Sequence, residues 1–222
     1  MFKNCVSLGW YCGTACSLSK LGLRSFSGPF DWYFANEFSS VVYMVESRFV
    51  DFLNRDNIVP VKTELQQFED IKYGMYFLHD NDERLPFEKA FPNIKAKYQR
   101  RINAFLERIV NPSCFFRSVA SDTEIDYIND NYGYINQVFK KYNPENEVYY
   151  ILHSDYKELS PHCNQFRLPT PYSQRPDKEE GMRVMFDQSL ELVTFCNQLI
   201  DDEQRQRNLE YDFKTKAHWW TS

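Results

Sequence analysis

Glycine and histidine are scarce in this chain, with 7 and 4 among 222 residues. Glycines so few and so scattered leave no room for a glycine-rich phosphate loop, and neither a P-loop nor a dinucleotide fingerprint occurs. The same shortage predicts a compact chain with few flexible loops. A basic excess is also missing. Lys and Arg total 26 against 31 Asp and Glu, and the net charge of −5 argues against a general nucleic-acid binder. No apolar run approaches the length of a transmembrane helix. Met1-Phe2-Lys3-Asn4 leads into a short apolar segment without the long hydrophobic region of a signal peptide. The expectation is therefore a cytoplasmic chain with no membrane span, whose six cysteines are reduced. No Cys-x-x-Cys pair is present. Cys12 and Cys16, four apart, are followed by no Cys/His pair at zinc-site spacing, so neither metal nor cofactor is expected.

What is present is aromatic and apolar. Phe (19) and Tyr (15) are abundant and 43% of residues are hydrophobic, enough for one sizeable core. The densest block is residues 7–32, SLGWYCGTACSLSKLGLRSFSGPFDW. Residues 5–8 read as a short buried strand that Gly9 breaks. Cys12 then stands at or just before a helix with Ala15, Leu18 and Leu21 on one face, and Gly22 is suited to end it. A thiol at a helix N-terminus meets unpaired N–H groups and the positive end of the dipole, both of which favour thiolate.

Further along, residues 38–53 carry apolar positions near helical spacing, Ile58-Val59 suggests a short strand, and residues 73–78 read as an aromatic strand running into His79. Pro92-Asn93 opens an amphipathic helix that Asn111-Pro112 ends. Residues 114–119 form the next strand, and Ser121 with Glu124 makes a capping box for a helix that Pro144 stops. Residues 148–152 form a strand ending at His153. Strand, long helix, strand is the pattern of a parallel crossover. The fold class expected is α/β, a mostly parallel sheet covered by helices in Rossmann-like or SGNH-like layers, with a helical C-terminal extension. The division expected is residues 1–165 as an α/β catalytic-type domain and 166–222 as a loop and helical extension packed on it. Pro169, Pro171 and Pro176 punctuate the loop, 179–199 reads as one helix, and the charged tail ends in Trp219-Trp220, where a homodimer contact could form.

Cys12 is the nucleophile candidate, against the alternative of a small buried core residue. The other cysteines read as buried or unpaired thiols. His79, following a strand end, is the first choice of general base, and His153 the second. A carboxylate would orient the imidazole. Asp31 and Asp80 compete for that role, and Asp31 equally suits a structural cap. Arg24, Arg100, Arg101 and Arg117 could clamp an anion through a bidentate guanidinium fork, Arg117 best placed at a strand end. Trp32 would line the substrate site beside them.

The motifs Ser7-Leu8-Gly9, Cys12, Leu21-Gly22-Leu23-Arg24, Pro29-Phe30-Asp31-Trp32, His79-Asp80, Tyr98 with Arg100 and Arg101, and Phe115-Phe116-Arg117 resemble a bacterial family described as papain-like cysteine peptidases. The resemblance covers roughly the first two-thirds of the chain. It implies a cysteine peptidase or hydrolase acting on an acyl group through a Cys12 thioester, and a papain-like α+β fold as the alternative architecture. Its association with surface-polysaccharide assembly implies an acyltransferase as a second activity, for which a phosphorylated donor such as coenzyme A would suit the arginines. A third reading is a non-catalytic module that binds a glycan or nucleotide-sugar in an aromatic cleft. The expected partner is accordingly a small-molecule, glycan or peptide substrate.

Overall fold

The computed structural model describes residues 2–32, 34–35, 37–61, 67–77 and 86–216. Strand β1 (Asn4–Ser7) leads into helix α1 (Gly13–Lys20). A long insertion follows: β2 (Phe34–Ala35), α2 (Phe38–Glu46), β3 (Ile58–Pro60), β4 (Phe68–Asp70), β5 (Met75–Phe77) and α3 (Phe87–Arg108). The chain then returns through β6 (Ser113–Ser118), α4 (Asp122–Lys140), β7 (Glu147–Leu152) and β8 (Asn164–Arg167). Helices α5 (Glu179–Arg183), α6 (Leu190–Gln198) and α7 (Asp202–Lys216) complete it.

The main sheet has the order β1-β6-β7-β8 and every pairing in it is parallel. Alternation along the strands sends side chains to two cores. Val6, Phe115, Val148, Tyr150 and Leu152 face a layer built by α2, α3 and α4. Cys5, Cys114, Phe116, Ile151 and Phe166 face α1 and α6. The result is a three-layer α/β/α sandwich, as the sequence pattern implies, and not the helical lobe with an antiparallel barrel-like lobe of the papain-like alternative. The insertion adds a small antiparallel sheet, β2-β5-β4-β3, whose Phe68 and Phe77 rings stack at 4.5 Å.

Four local expectations need correction. The helix over 38–53 stops at Glu46, and Arg48, Phe49, Asp51 and Leu53 take positive φ. Tight turns replace it because Phe49 and Phe52 pack toward Phe105 and Tyr98, and the Leu53 amide donates to the buried Asp70 carboxylate (3.0 Å). Helix α3 begins at Phe87, so Pro92 lies inside it. Its ring removes one early hydrogen bond, while starting at Phe87 brings Phe87 against Phe68 and Phe91 against Phe87. The span 179–199 divides into α5, a short 3₁₀ turn at Phe186–Gln188 and α6, which Ser189 caps by accepting from the Leu192 amide. Strand β8 went unanticipated, and the expected boundary at 165/166 falls within it.

Helix α1 ends in a Schellman turn. Leu23 N–H bonds Leu18 C=O (2.9 Å), Gly22 N–H bonds Ser19 C=O (3.1 Å), and Gly22 takes φ +65°. Helix α7 docks there. Asn208 Nδ2 donates to the Gly22 carbonyl (2.9 Å), and Asp212 accepts from Arg24 (2.8 Å) and from Ser19. Trp219 and Trp220 lie outside the described residues.

Candidate active site

Parallel sheets gather functional loops at the carboxyl ends of their strands. Here that edge begins where β1 becomes α1. Leu8 N–H continues the sheet by donating to Phe116 C=O (2.8 Å), and then the chain reverses. Gly9 and Trp10 both take positive φ, +73° and +77°. A Cβ on Gly9 would lie 2.7 Å from the Phe30 carbonyl oxygen, so only glycine fits. Trp10 has no such excuse, and a bulky residue held left-handed stores about 1–3 kcal/mol of strain, a feature that clusters at functional sites. The turn delivers Cys12 to the N-cap of α1. Tyr11 folds beneath the helix against Gly13, where any Cβ would meet its ring at 2.4 Å, and its hydroxyl donates to Met185 Sδ (2.6 Å).

None of the six cysteines is disulfide-bonded; five are buried, and Cys12 is half-buried. Burial pushes the Cys163 thiol up to about 11 and the Cys196 thiol up to about 12, and raises Cys5 and Cys114 further. Those four stay protonated and inert. The Cys12 Sγ lies 3.1 Å from Met182 Sδ of α5. Behind it Thr14 Oγ1 and Ser118 Oγ share a buried hydrogen bond of 2.7 Å, tying α1 to the end of β6. The first-turn N–H groups of α1 have no acceptor within the helix, and Cys12 stands at its N-cap.

His153 follows β7 on the same edge. It is buried, and its Nδ1 is 3.0 Å from the Thr170 carbonyl. A carbonyl only accepts, so Nδ1 carries the proton and Nε2 offers its lone pair. Burial chiefly lowers the pKa of the ring, and the Thr170 hydrogen bond and Asp155 partly oppose that. The ring packs edge-on to Tyr172 (5.7 Å), which packs on Trp10 (5.5 Å), so a continuous aromatic wall joins His153 to the turn before Cys12. Asp155 Oδ1 accepts from the Tyr172 amide (2.8 Å) and holds that wall in place. Arg175 lies over Tyr172 at 4.3 Å and over Trp10 at 5.2 Å.

The other candidates are placed differently. Asp31 is buried, and its Oδ2 accepts from Arg24 Nη2 (2.8 Å), Arg24 Nε (3.1 Å) and the Gly28 amide (2.8 Å). Arg24 is buried between Asp31 and Asp212. Burial pulls its pKa down, and the two carboxylates more than restore it. Trp32 lies 5.8 Å beneath the Arg24 guanidinium. Arg117 is fully buried, paired with Glu124 through two bonds of 2.8 Å and with the Leu8 carbonyl (3.1 Å). These contacts make Arg24 and Arg117 internal braces, where the sequence suggested anion clamps. Arg100 and Arg101 sit on α3, in the layer across the sheet from α1, with Arg101 over the Tyr98 ring (5.0 Å). His79 and Asp80 lie outside the described residues. Thr170, Tyr172, Arg175 and Met182 escaped sequence reasoning. Their only signal was Tyr and Arg within a proline-punctuated segment.

Residues 3–138 match the family described as "Putative papain-like cysteine peptidase (DUF1796)", and the chain belongs to that family. An uncharacterized protein, R408, of Acanthamoeba polyphaga mimivirus is 29% identical over 119 residues, covering 45% of this chain and 53% of that protein. The chain thus spans about half the length of this curated relative. No solved structure matches. Among the described residues no helix is long and apolar enough to cross a membrane, and no group of three or more His, Cys, Asp or Glu could hold a metal ion.

Proposed function

We propose that this protein is a cysteine hydrolase acting on an acyl group, with Cys12 as nucleophile. The observation that carries this reading is the position of Cys12. It is the half-buried cysteine of six, set at a helix N-cap by a strained turn at the carboxyl edge of a parallel sheet. In the reaction the Cys12 thiolate attacks the acyl carbon while a histidine holds the thiol proton. First-turn N–H groups of α1 stabilise the oxyanion. Collapse forms the thioester and expels the leaving group, which takes the proton from the histidine. Water, deprotonated by the same histidine, then cleaves the thioester and regenerates the thiol.

Two histidines compete as base. His153 is favoured by its edge position and by a tautomer that presents Nε2, with the Thr170 carbonyl as the orienting group that a carboxylate supplies elsewhere. His79 is favoured by lying within the matched span 3–138. The test is the pH dependence of iodoacetamide labelling at Cys12 in wild type, His153→Gln and His79→Gln. Native Cys12 is expected to label at lower pH than the urea-unfolded chain, and removal of the true base is expected to erase that advantage. Labelling with the unfolded chain's profile, or none, overturns the nucleophile. A profile unmoved by either histidine overturns the pair.

A further inference from the structure

Arg175 stands on the Cys12 edge and, among the described residues, is neither walled in nor ion-paired. Arg117 and Arg24 are buried against carboxylates, whereas Arg175 is half-exposed. Among the described residues no carboxylate forms an ion pair with it, and its contacts are the Tyr172 carbonyl (3.4 Å) and the faces of Tyr172 and Trp10. Stacking on two rings holds a guanidinium plane still while leaving its N–H edge available. The shelf beneath it is rigid. Trp10 is buried and T-shaped to Tyr11 at 4.7 Å, and the Tyr172 amide is tied to Asp155. Position relative to the sulfur follows from the chain. Trp10 is two residues before Cys12, and Cys12, Arg175 and Tyr172 all act electrostatically on Tyr11. Met182, which touches Cys12, comes from the same segment that carries Arg175.

Resting on the reading of Cys12 as nucleophile, we infer that Arg175 is a substrate-recognition residue that binds an oxyanion, a carboxylate or phosphate group, on the acyl substrate. A planar guanidinium with an open edge matches a carboxylate or phosphate bidentately. Burial lowers the pKa of the His153 ring beside it, whereas the Arg175 guanidinium brings a permanent positive charge to this part of the rim. Substrates carrying the anion would be drawn to this edge of the sheet and oriented with the acyl carbon toward the sulfur. Neutral analogues would lack that grip.

Two alkylating agents of matched shape test this on the full chain. Iodoacetate carries the anion and iodoacetamide does not. The iodoacetate-to-iodoacetamide rate ratio at Cys12 is expected to exceed that of the urea-unfolded chain by about tenfold, within the range of electrostatic focusing. Arg175→Gln should return it to the unfolded value, and Arg175→Lys should retain part of the excess. A ratio equal to the unfolded value in wild type, or unchanged in Arg175→Gln, overturns the inference. If iodoacetamide fails to label native Cys12, the nucleophile reading falls, and calorimetric binding then decides the anion site independently. N-acetylglycine supplies a carboxylate, inorganic phosphate a phosphate, and N-acetylglycinamide neither. Tighter binding of one anion by wild type than by Arg175→Gln, with the amide indifferent, supports the site and says which oxyanion it takes. No binding of either anion, or binding untouched by the substitution, removes it.

Discussion

Replacing Arg117 with Met separates a brace from a substrate clamp. The guanidinium donates twice to Glu124 at 2.8 Å and once to the Leu8 carbonyl at 3.1 Å, and it lies 5.1 Å from the Phe38 ring centre. Methionine fills similar volume and removes every donor. Glu124, 4% exposed, would keep the Ala120 amide at 3.3 Å as a partner but lose its counter-charge. Breaking a buried pair from one side costs about 3–5 kcal/mol, because a charge is left without compensation. The double variant Arg117→Met/Glu124→Leu removes that charge. Its remaining costs include the stranded Leu8 carbonyl, about 1–3 kcal/mol, and the Ala120 amide's lost bond to the Glu124 carboxylate. The double variant should therefore be more stable than Arg117→Met alone, with a coupling of about 2 kcal/mol in a urea-denaturation cycle. A loss under about 1 kcal/mol in Arg117→Met, or a double variant less stable than the single, would refute the reasoning and return Arg117 to the candidate anion binders.

The remaining expectations follow from single contacts. Iodoacetamide followed by mass spectrometry should add one label, at Cys12, to the native protein and six after unfolding, since five thiols are buried; a second native label would dissolve the distinction. Gly9→Ala should destabilise by more than about 1 kcal/mol and slow Cys12 labelling, because φ +73° and the Phe30 carbonyl at 2.7 Å both oppose a Cβ. Gly22→Ala should cost less, as the atom met at 2.7 Å is a side-chain carbon, the Cγ of Arg205, and the nearest backbone oxygen is 3.1 Å away rather than 2.7 Å; equal losses in urea melts would contradict that ranking. His153 contributes a pH term of definite sign. Its folded pKa lies below the ordinary 6.5, so below that pH the unfolded chain binds a proton that the native ring refuses. Stability from this group is complete above pH 6.5 and declines as pH falls, by at most about 1.4 kcal/mol per pH unit. Thermal melts between pH 7 and 5 should drop less steeply in His153→Gln than in wild type.

Patterns confined to one element were legible from the residues alone. The parallel crossover from β6 through α4 to β7, the Gly22 stop, the Ser121 cap and the place of Cys12 at a helix start all rest on periodicity and backbone chemistry within a few residues. Even there one detail moved. The Ser121 hydroxyl accepts from the Glu124 amide, but the Glu124 carboxylate turns to Ala120 N–H and Arg117. What tertiary structure alone decided is which side chains meet. Arg24 and Arg117 share the chemistry of Arg175, and nothing local reveals that the first two are sealed against Asp31, Asp212 and Glu124 while the third lies on an aromatic shelf. Burial of a guanidinium depends on carboxylates as many as 188 positions away in sequence. Strand β8 was hidden for the same reason. Only four residues long, it is a strand because β7 offers an open edge to pair with, and that pairing carries Thr170, Tyr172 and Arg175 to the rim beside Cys12.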